Sequence, residues 1–236
     1  MSNDDDSSRT TPTALDAAIA AIERSLCADG ADARGFDEGE RSGYEWRTLQ
    51  QWCLESHLVL GAEIAPARAG GREHDVTHEA TAQRWIKFTK WDGAGYAIDL
   101  DETDPIFLPG TPLTYLKRLR LHNALFGDTL ELLGIQQEGY KLRIVTSQPD
   151  IVGEAPSLEE MEKLLREDYR CQRLQVPPMG FYKSYSYLRD HVAVFDAHPA
   201  NCVVTAEGVL VPIDFIVQEL DEEKRRKLAA RLSVSG

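Results

Sequence analysis

The stretch "VAVFDAHPANCVVTAEGVLVPIDF", residues 192–215, sets two apolar runs around a polar loop. Val192 to Phe195 stops on Asp196, and Val209 to Ile213 stops on Asp214. Between them stand His198-Pro199, Asn201 and the turn signal Ala206-Glu207-Gly208. Short apolar runs bounded by Gly, Pro and Asp read as strands. Folding back near Gly208 predicts that Asn201 and Asp214 meet at one end of the pairing. A carboxylate and an amide oxygen are hard ligands, suited to Mg2+ and the phosphates it carries. Asp196, on the same loop, is then free to orient a hydroxyl or accept its proton. Singly, each Asp is a common turn-capping residue. Together they form a parts list for phosphoryl transfer, where positioning and charge neutralisation do most of the work.

The rest of the chain is compatible with that chemistry. Its 236 residues, 42% hydrophobic, suffice for one large domain or two small lobes. No apolar run approaches a membrane span, and the acidic start "MSNDDDSSRTTPT" lacks the basic and apolar regions of a secretory signal. Cys27, Cys53, Cys171 and Cys202 form no C-x-x-C pair, which predicts reduced thiols in a cytoplasmic protein. The net charge of −13 opposes general binding to nucleic acid.

Working outward, residues 1–12 read as a disordered tail and 13–56 as a helical extension, with "ALDAAIAAIERSLCA" and "YEWRTLQQWCLESHLVL" helical on either side of a Gly/Asp-rich linker. In the second helix, Trp46, Leu49, Trp52 or Cys53, and His57 fall on one stripe. "LVLGAEI" and "RWIKFTK" read as strands flanking the loop "APARAGGREHDVTHEA". After a polar connection, Thr111 caps a helix that Gly127 ends. "TLELLGIQQEGYKLRIVTSQ" is a hairpin turning at Glu138-Gly139, and "SLEEMEKLLREDYRCQRL" an amphipathic helix with a Ser157/Glu160 capping box. A charged helix closes the chain. His74 and His78, four apart, suit a metal only on a helix, and Tyr182, Tyr185 and Tyr187 alternate as on a strand.

Asp196 and Asn201 are five residues apart, the offset of the protein-kinase catalytic loop, and Asp214-Phe215 follows thirteen after Asn201, where D-F-G begins. The D-x-H-P-x-N loop resembles that of aminoglycoside phosphotransferases and choline kinases. Together with "GGREHDV" and "YLKRLRLHNALFGD", it resembles the polyvalent-protein kinase domains of phages and bacteria over roughly residues 60–218.

That resemblance implies an α+β fold: a compact, two-lobed, protein-kinase-like architecture with N-terminal helices, an N-lobe over 57–150 and a reduced C-lobe over 151–236. It implies ATP and Mg2+ as cofactors and a hydroxyl-bearing acceptor, protein or small molecule. By the same analogy Lys87, in W-I-K-F, contacts the α/β-phosphates, and Gly70 and Gly71 let the backbone approach the nucleotide. Asn201 and Asp214 hold the metal, Asp196 acts as base or hydroxyl-orienting group, and His198 shapes the loop or touches substrate. Three departures leave open a pseudokinase or scaffold module. Helix 112–126 has no Glu for Lys87, so Asn123, Asp128, Glu131 or Glu73 must stand in. No H-R or H-G precedes Asp196, and no Gly follows Asp214-Phe215.

Overall fold

The structure, a computed structural model, describes residues 12–28, 37–69, 71–100, 104–180 and 182–232. The N-terminal tail up to residue 11 and Gly70 lie outside them. The fold is mixed α+β, as expected, with five α-helices among the described residues. None of these helices is long and apolar enough to cross a membrane.

Helix α1 (Ala14–Ala28) buries Leu15, Ala18, Ile19, Ile22 and Leu26, an i, i+3, i+4, i+7 stripe. Helix α2 (Glu38–Glu55) begins six residues before Tyr44, where the sequence reading starts it. Asp37 caps it by accepting from Glu40 N–H, and the Glu40 carboxylate accepts from Asp37 N–H, so the end of the supposed linker is a capping box. Its buried stripe is Glu45, Leu49 and Cys53, whereas His57 is exposed beyond the helix end. Glu45 is buried because its Oε2 accepts from Leu113 N–H at 2.9 Å, satisfying the first turn of helix α3 (Pro112–Phe126). The three helices share one core with the sheet beneath them.

That sheet has six strands: β1 (Val59–Leu60), β2 (Arg68–Ala69), β3 (His74–Glu79), β4 (Arg84–Thr89), β7 (Glu131–Glu138) and β8 (Lys141–Pro149). The spatial order is β1-β7-β8-β4-β3-β2, antiparallel except for β1 beside β7. "HDVTHE" is therefore a strand and not part of a loop, and His74 and His78 do not form a helical metal pair. The polar connection after Thr89 holds a further hairpin, β5 (Tyr96–Asp99) with β6 (Ile106–Pro109).

Helix α4 (Leu158–Glu167), capped by Ser157, stops short of "CQRL", because Gln172–Arg173 forms strand β9. A second sheet runs β14 (Ile216–Glu219), β11 (Val192–Ala197), β10 (Tyr185–Arg189), β9. Tyr182 precedes β10 and is exposed, so the three tyrosines do not share a strand face. Strand β11 is covered on both faces: Val192, Val194 and Ala197 meet one apolar cluster, Ala193 and Phe195 another. This is why it reads as an unbroken apolar run. Burial of a side chain such as Phe195 contributes about 1.5–3 kcal/mol. Strands β12 (Cys202–Val204) and β13 (Leu210–Pro212) form a separate ribbon, and helix α5 (Glu222–Ala229) follows β14. All four cysteines are free thiols.

Candidate active site

A β-bulge builds the first wall of the site. Tyr185 faces Ala197 and Tyr187 faces Val194, so β11 carries an extra residue between the two pairings. Asp196 sits in that bulge at φ +52°, a left-handed conformation that Asp tolerates better than most residues. A single 3₁₀ turn, Pro199–Asn201, then turns the chain, with Asn201 N–H donating to His198 C=O at 2.9 Å. Asn201 Nδ2 donates back to Asp196, to its carbonyl at 3.1 Å and its carboxylate at 3.4 Å, which leaves the amide oxygen for a ligand. Cys202 pairs with Pro212 across the ribbon. The Asn201 carbonyl therefore accepts from the N–H groups of Ile213 at 2.7 Å and Asp214 at 3.3 Å. The sequence expectation that Asn201 and Asp214 meet is met by this ribbon. His198 Nε2 lies 3.9 Å from the Asp196 carboxylate. Gly180, at φ +88°, presses so closely on that carboxylate that a Cβ would overlap it.

The second wall comes from the six-stranded sheet. Lys87 on β4 is 8% exposed. Its Nζ donates to Ile213 C=O at 2.6 Å and lies 3.9 Å from Asp214 Oδ1. None of the four candidate partners pairs with it. Asn123 bonds the Leu130 backbone, Asp128 accepts from Gln148, and Glu131 pairs with Arg84.

Glu73 instead meets Arg118 of α3 at 2.6 Å, both side chains being about 6–7% exposed. The carboxylate Oε1 also accepts from Tyr96 N–H at 3.1 Å, and Arg118 donates to Tyr96 C=O at 3.3 Å. Gly95, at φ +70°, is required here, because a Cβ would collide with Glu73 Oε1. The buried ion pair between helix and cleft is thus present with its charges on other elements: the helix supplies the cation. Sequence reasoning missed Arg118. The signal was a polar stripe, Tyr115, Arg118 and His122 interleaved with Leu119, on the face of α3 that packs inward.

His74, beside Glu73, is buried. Its Nε2 bonds the Tyr115 hydroxyl at 2.9 Å, and its Nδ1 lies 3.7 Å from Asp214 Oδ1. Burial holds the His74 pKa below the usual imidazole value, despite Glu73 and Asp214 nearby. His122 is pushed to about 3 by burial, with Lys87 and Arg118 adding repulsion. At Asp214 burial opposes ionisation, but Lys87, then His74, Arg118 and His122, outweigh it and hold the carboxyl below its ordinary range.

Two adjoining hollows open between the walls. One, of about 390 Å³, is lined by Gly71, Glu73, Asp196, His198, Asn201 and Asp214, among others. The other, of about 270 Å³, is lined by Val76, Trp85, Lys87, Gln148, Asp150 and Ile213, among others. Gly71 borders the first hollow, but a Cβ on it would meet nothing within 4 Å, so space does not demand Gly there.

Residues 100–220, just over half of the 236-residue chain, match the family model described as Serine/Threonine/Tyrosine Kinase found in polyvalent proteins. The chain belongs to that family. No curated protein and no solved structure matches it. The match takes in Arg118, Asp196, His198, Asn201 and Asp214, while Gly71, Glu73, His74 and Lys87 precede it. The resemblance read from the catalytic-loop spacing is therefore met at the level of family and kinase-like fold.

Proposed function

We propose that this polyvalent-type kinase is an ATP- and Mg2+-dependent phosphotransferase that moves the γ-phosphate to a hydroxyl of a protein or small molecule. The observation that carries the reading is the convergence of Asp196, Asn201, Asp214 and Lys87 on adjoining hollows, through bonds of 2.6–3.4 Å between neighbouring groups. The donor set fits magnesium: the free amide oxygen of Asn201 and an ionised Asp214 are hard oxygen ligands. Held by Asn201 and Asp214, Mg2+ would supply positive charge to offset the negative charge that develops on a transferring phosphate. The chain's own part is positional. Lys87, whose Nζ rests on the Ile213 carbonyl at 2.6 Å, would contact the phosphates. Asn201 fixes the Asp196 carboxylate, which orients the acceptor hydroxyl and takes its proton. Val76, Trp85 and Ile213 offer the apolar walls a nucleotide base needs.

The test is ATP turnover and Mg-dependent nucleotide binding in the wild type and in Asp214→Ala. Binding that is absent, or unchanged by the substitution, removes the reading. One observation favours a second reading, a nucleotide-binding module without turnover: Gly180 packs closely against the Asp196 carboxylate, whose side chain is only 21% exposed. Thermal stabilisation by ATP, with no transfer to any acceptor or to the chain itself, would select it.

A further inference from the structure

Three side chains at the floor of the cleft share one arrangement. Glu73 Oε1 is taken by Arg118 and Tyr96 N–H, which leaves Oε2. His74 Nε2 is taken by the Tyr115 hydroxyl, which leaves Nδ1. That nitrogen has no hydrogen-bond partner among the described residues, although the His74 side chain is only 6% exposed. It points between Glu73 Oε2, at 4.0 Å, and Asp214 Oδ1, at 3.7 Å. Neither separation is a hydrogen bond. The three donor atoms all lie within 4.8 Å of one another. Metal-binding side chains are characteristically fixed in this way: one atom is held by an outer partner so that the other faces the ion.

We propose that Glu73 Oε2, His74 Nδ1 and Asp214 Oδ1 form a site for a divalent first-row transition metal. Two bonds of about 2.1 Å span up to about 4.2 Å, so the separations from Nδ1 suit donors on opposite sides of one ion. A small rotation of Asp214, the one partly exposed member, brings its oxygen to the third side. An imidazole donor separates this site from an all-oxygen magnesium site and gives preference to Mn2+, Co2+ or Zn2+ over Mg2+. It also accounts for Arg118: the guanidinium holds Glu73 as an outer partner. Because Arg118 and Lys87 offset the two carboxylates, a bare cation is held weakly, and phosphate oxygens in the adjoining hollow strengthen the site. In that respect the inference rests on the phosphotransfer reading, with which it also shares Asp214.

Mn2+ is the probe. The full chain is titrated with Mn2+, with and without ADP, followed by electron paramagnetic resonance and by competition with Mg2+. The expected result is nitrogen coupling on the bound Mn2+ in the wild type. In His74→Gln, which keeps a side chain able to reach Tyr115, the coupling disappears and Mn2+ affinity falls tenfold or more. Absence of nitrogen coupling in the wild type, a result that needs no variant to fold, overturns the proposal. So does coupling that survives His74→Gln, since it would then come from another imidazole such as His198. Mg-supported turnover that needs Asp214, with Mn2+ binding unchanged by His74→Gln, leaves the phosphotransfer reading and removes this one. Nitrogen-coupled Mn2+ in a chain that transfers no phosphate does the reverse.

Discussion

The two walls of the cleft are built on different principles. Asp196, Asn201 and Asp214 come from nineteen consecutive residues and are placed by a bulge, a 3₁₀ turn and a two-stranded ribbon. Glu73, His74, Lys87 and Arg118 come from two strands' worth of chain and a helix, and only the packed sheet and α3 bring them together. The first wall is partly open to solvent, and its polar groups bond one another locally. The second is closed, and each charge in it depends on a partner distant in sequence. Damage to the first should therefore cost chemistry, and damage to the second should cost folding.

The largest effect expected is on the first wall. Asp196→Asn keeps the shape and tolerates the left-handed backbone at φ +52°, but removes the base. Phosphate transfer should fall by about 10²–10⁴-fold with nucleotide affinity and melting temperature nearly unchanged. A large loss of stability with it would break the contrast between the walls.

The second wall should respond in the opposite way. Glu73→Ala strips the partner from a guanidinium that is 6% exposed, and about 3–5 kcal/mol of stability should be lost in denaturant titrations. Replacing both members, Glu73→Met with Arg118→Met, should recover much of that loss, because no uncompensated charge stays buried. If the double variant is as unstable as the single, the pair is not what Glu73 contributes.

The same contrast explains what the sequence disclosed. The kinase-like fold class, the ribbon joining Asn201 to Asp214, helix α3 with its Thr111 cap and Gly127 stop, and the β7–β8 hairpin all rest on contacts between near neighbours in the chain. Those are the interactions that spacing and turn chemistry report. Strand β3 was hidden because "HDVTHE" lacks apolar alternation: its polar residues are matched across the sheet and against α3, as His74 is with Tyr115. The start of α2 was hidden because Gly39 and a charge run mask a capping box. The reassigned ion pair was illegible for a stronger reason. Nothing near Arg118 in sequence announces Glu73, forty-five residues away, and only tertiary packing decides which acid the helix cation meets.

Acid should expose the closed wall further. The unfolded chain takes up a proton on His122 near pH 6.5, whereas the folded chain resists it down to about 3, because burial, then Lys87 and Arg118, oppose the charge. Between these values the unfolded state binds more protons, so stability is full above about pH 6.5 and falls as pH drops, by up to about 1.4 kcal/mol per pH unit. His74, also held neutral by burial, acts in the same direction. Urea titrations from pH 7 to pH 4 should show this slope, and His122→Gln should reduce it by up to one proton's worth. A slope that survives intact would place the acid sensitivity elsewhere.

The smallest effect separates two helix caps, one supporting each side of the molecule. Ser157 satisfies a single N–H at the start of α4, that of Glu160 at 3.1 Å. Asp37 satisfies the same kind of group at the start of α2 at 2.8 Å, and it does so as a charged acceptor facing the positive end of the helix dipole. Glu40 returns a bond to Asp37 N–H, so removing the Asp37 side chain also loosens a reciprocal contact. Ser157→Ala should cost about 0.5–1 kcal/mol and Asp37→Ala about 1–1.5 kcal/mol. The order matters more than the values, because α2 carries Glu45, whose carboxylate holds the first turn of α3 and, through that helix, Arg118. Asp37→Ala should therefore lower nucleotide affinity slightly as well as stability, and Ser157→Ala should lower stability alone.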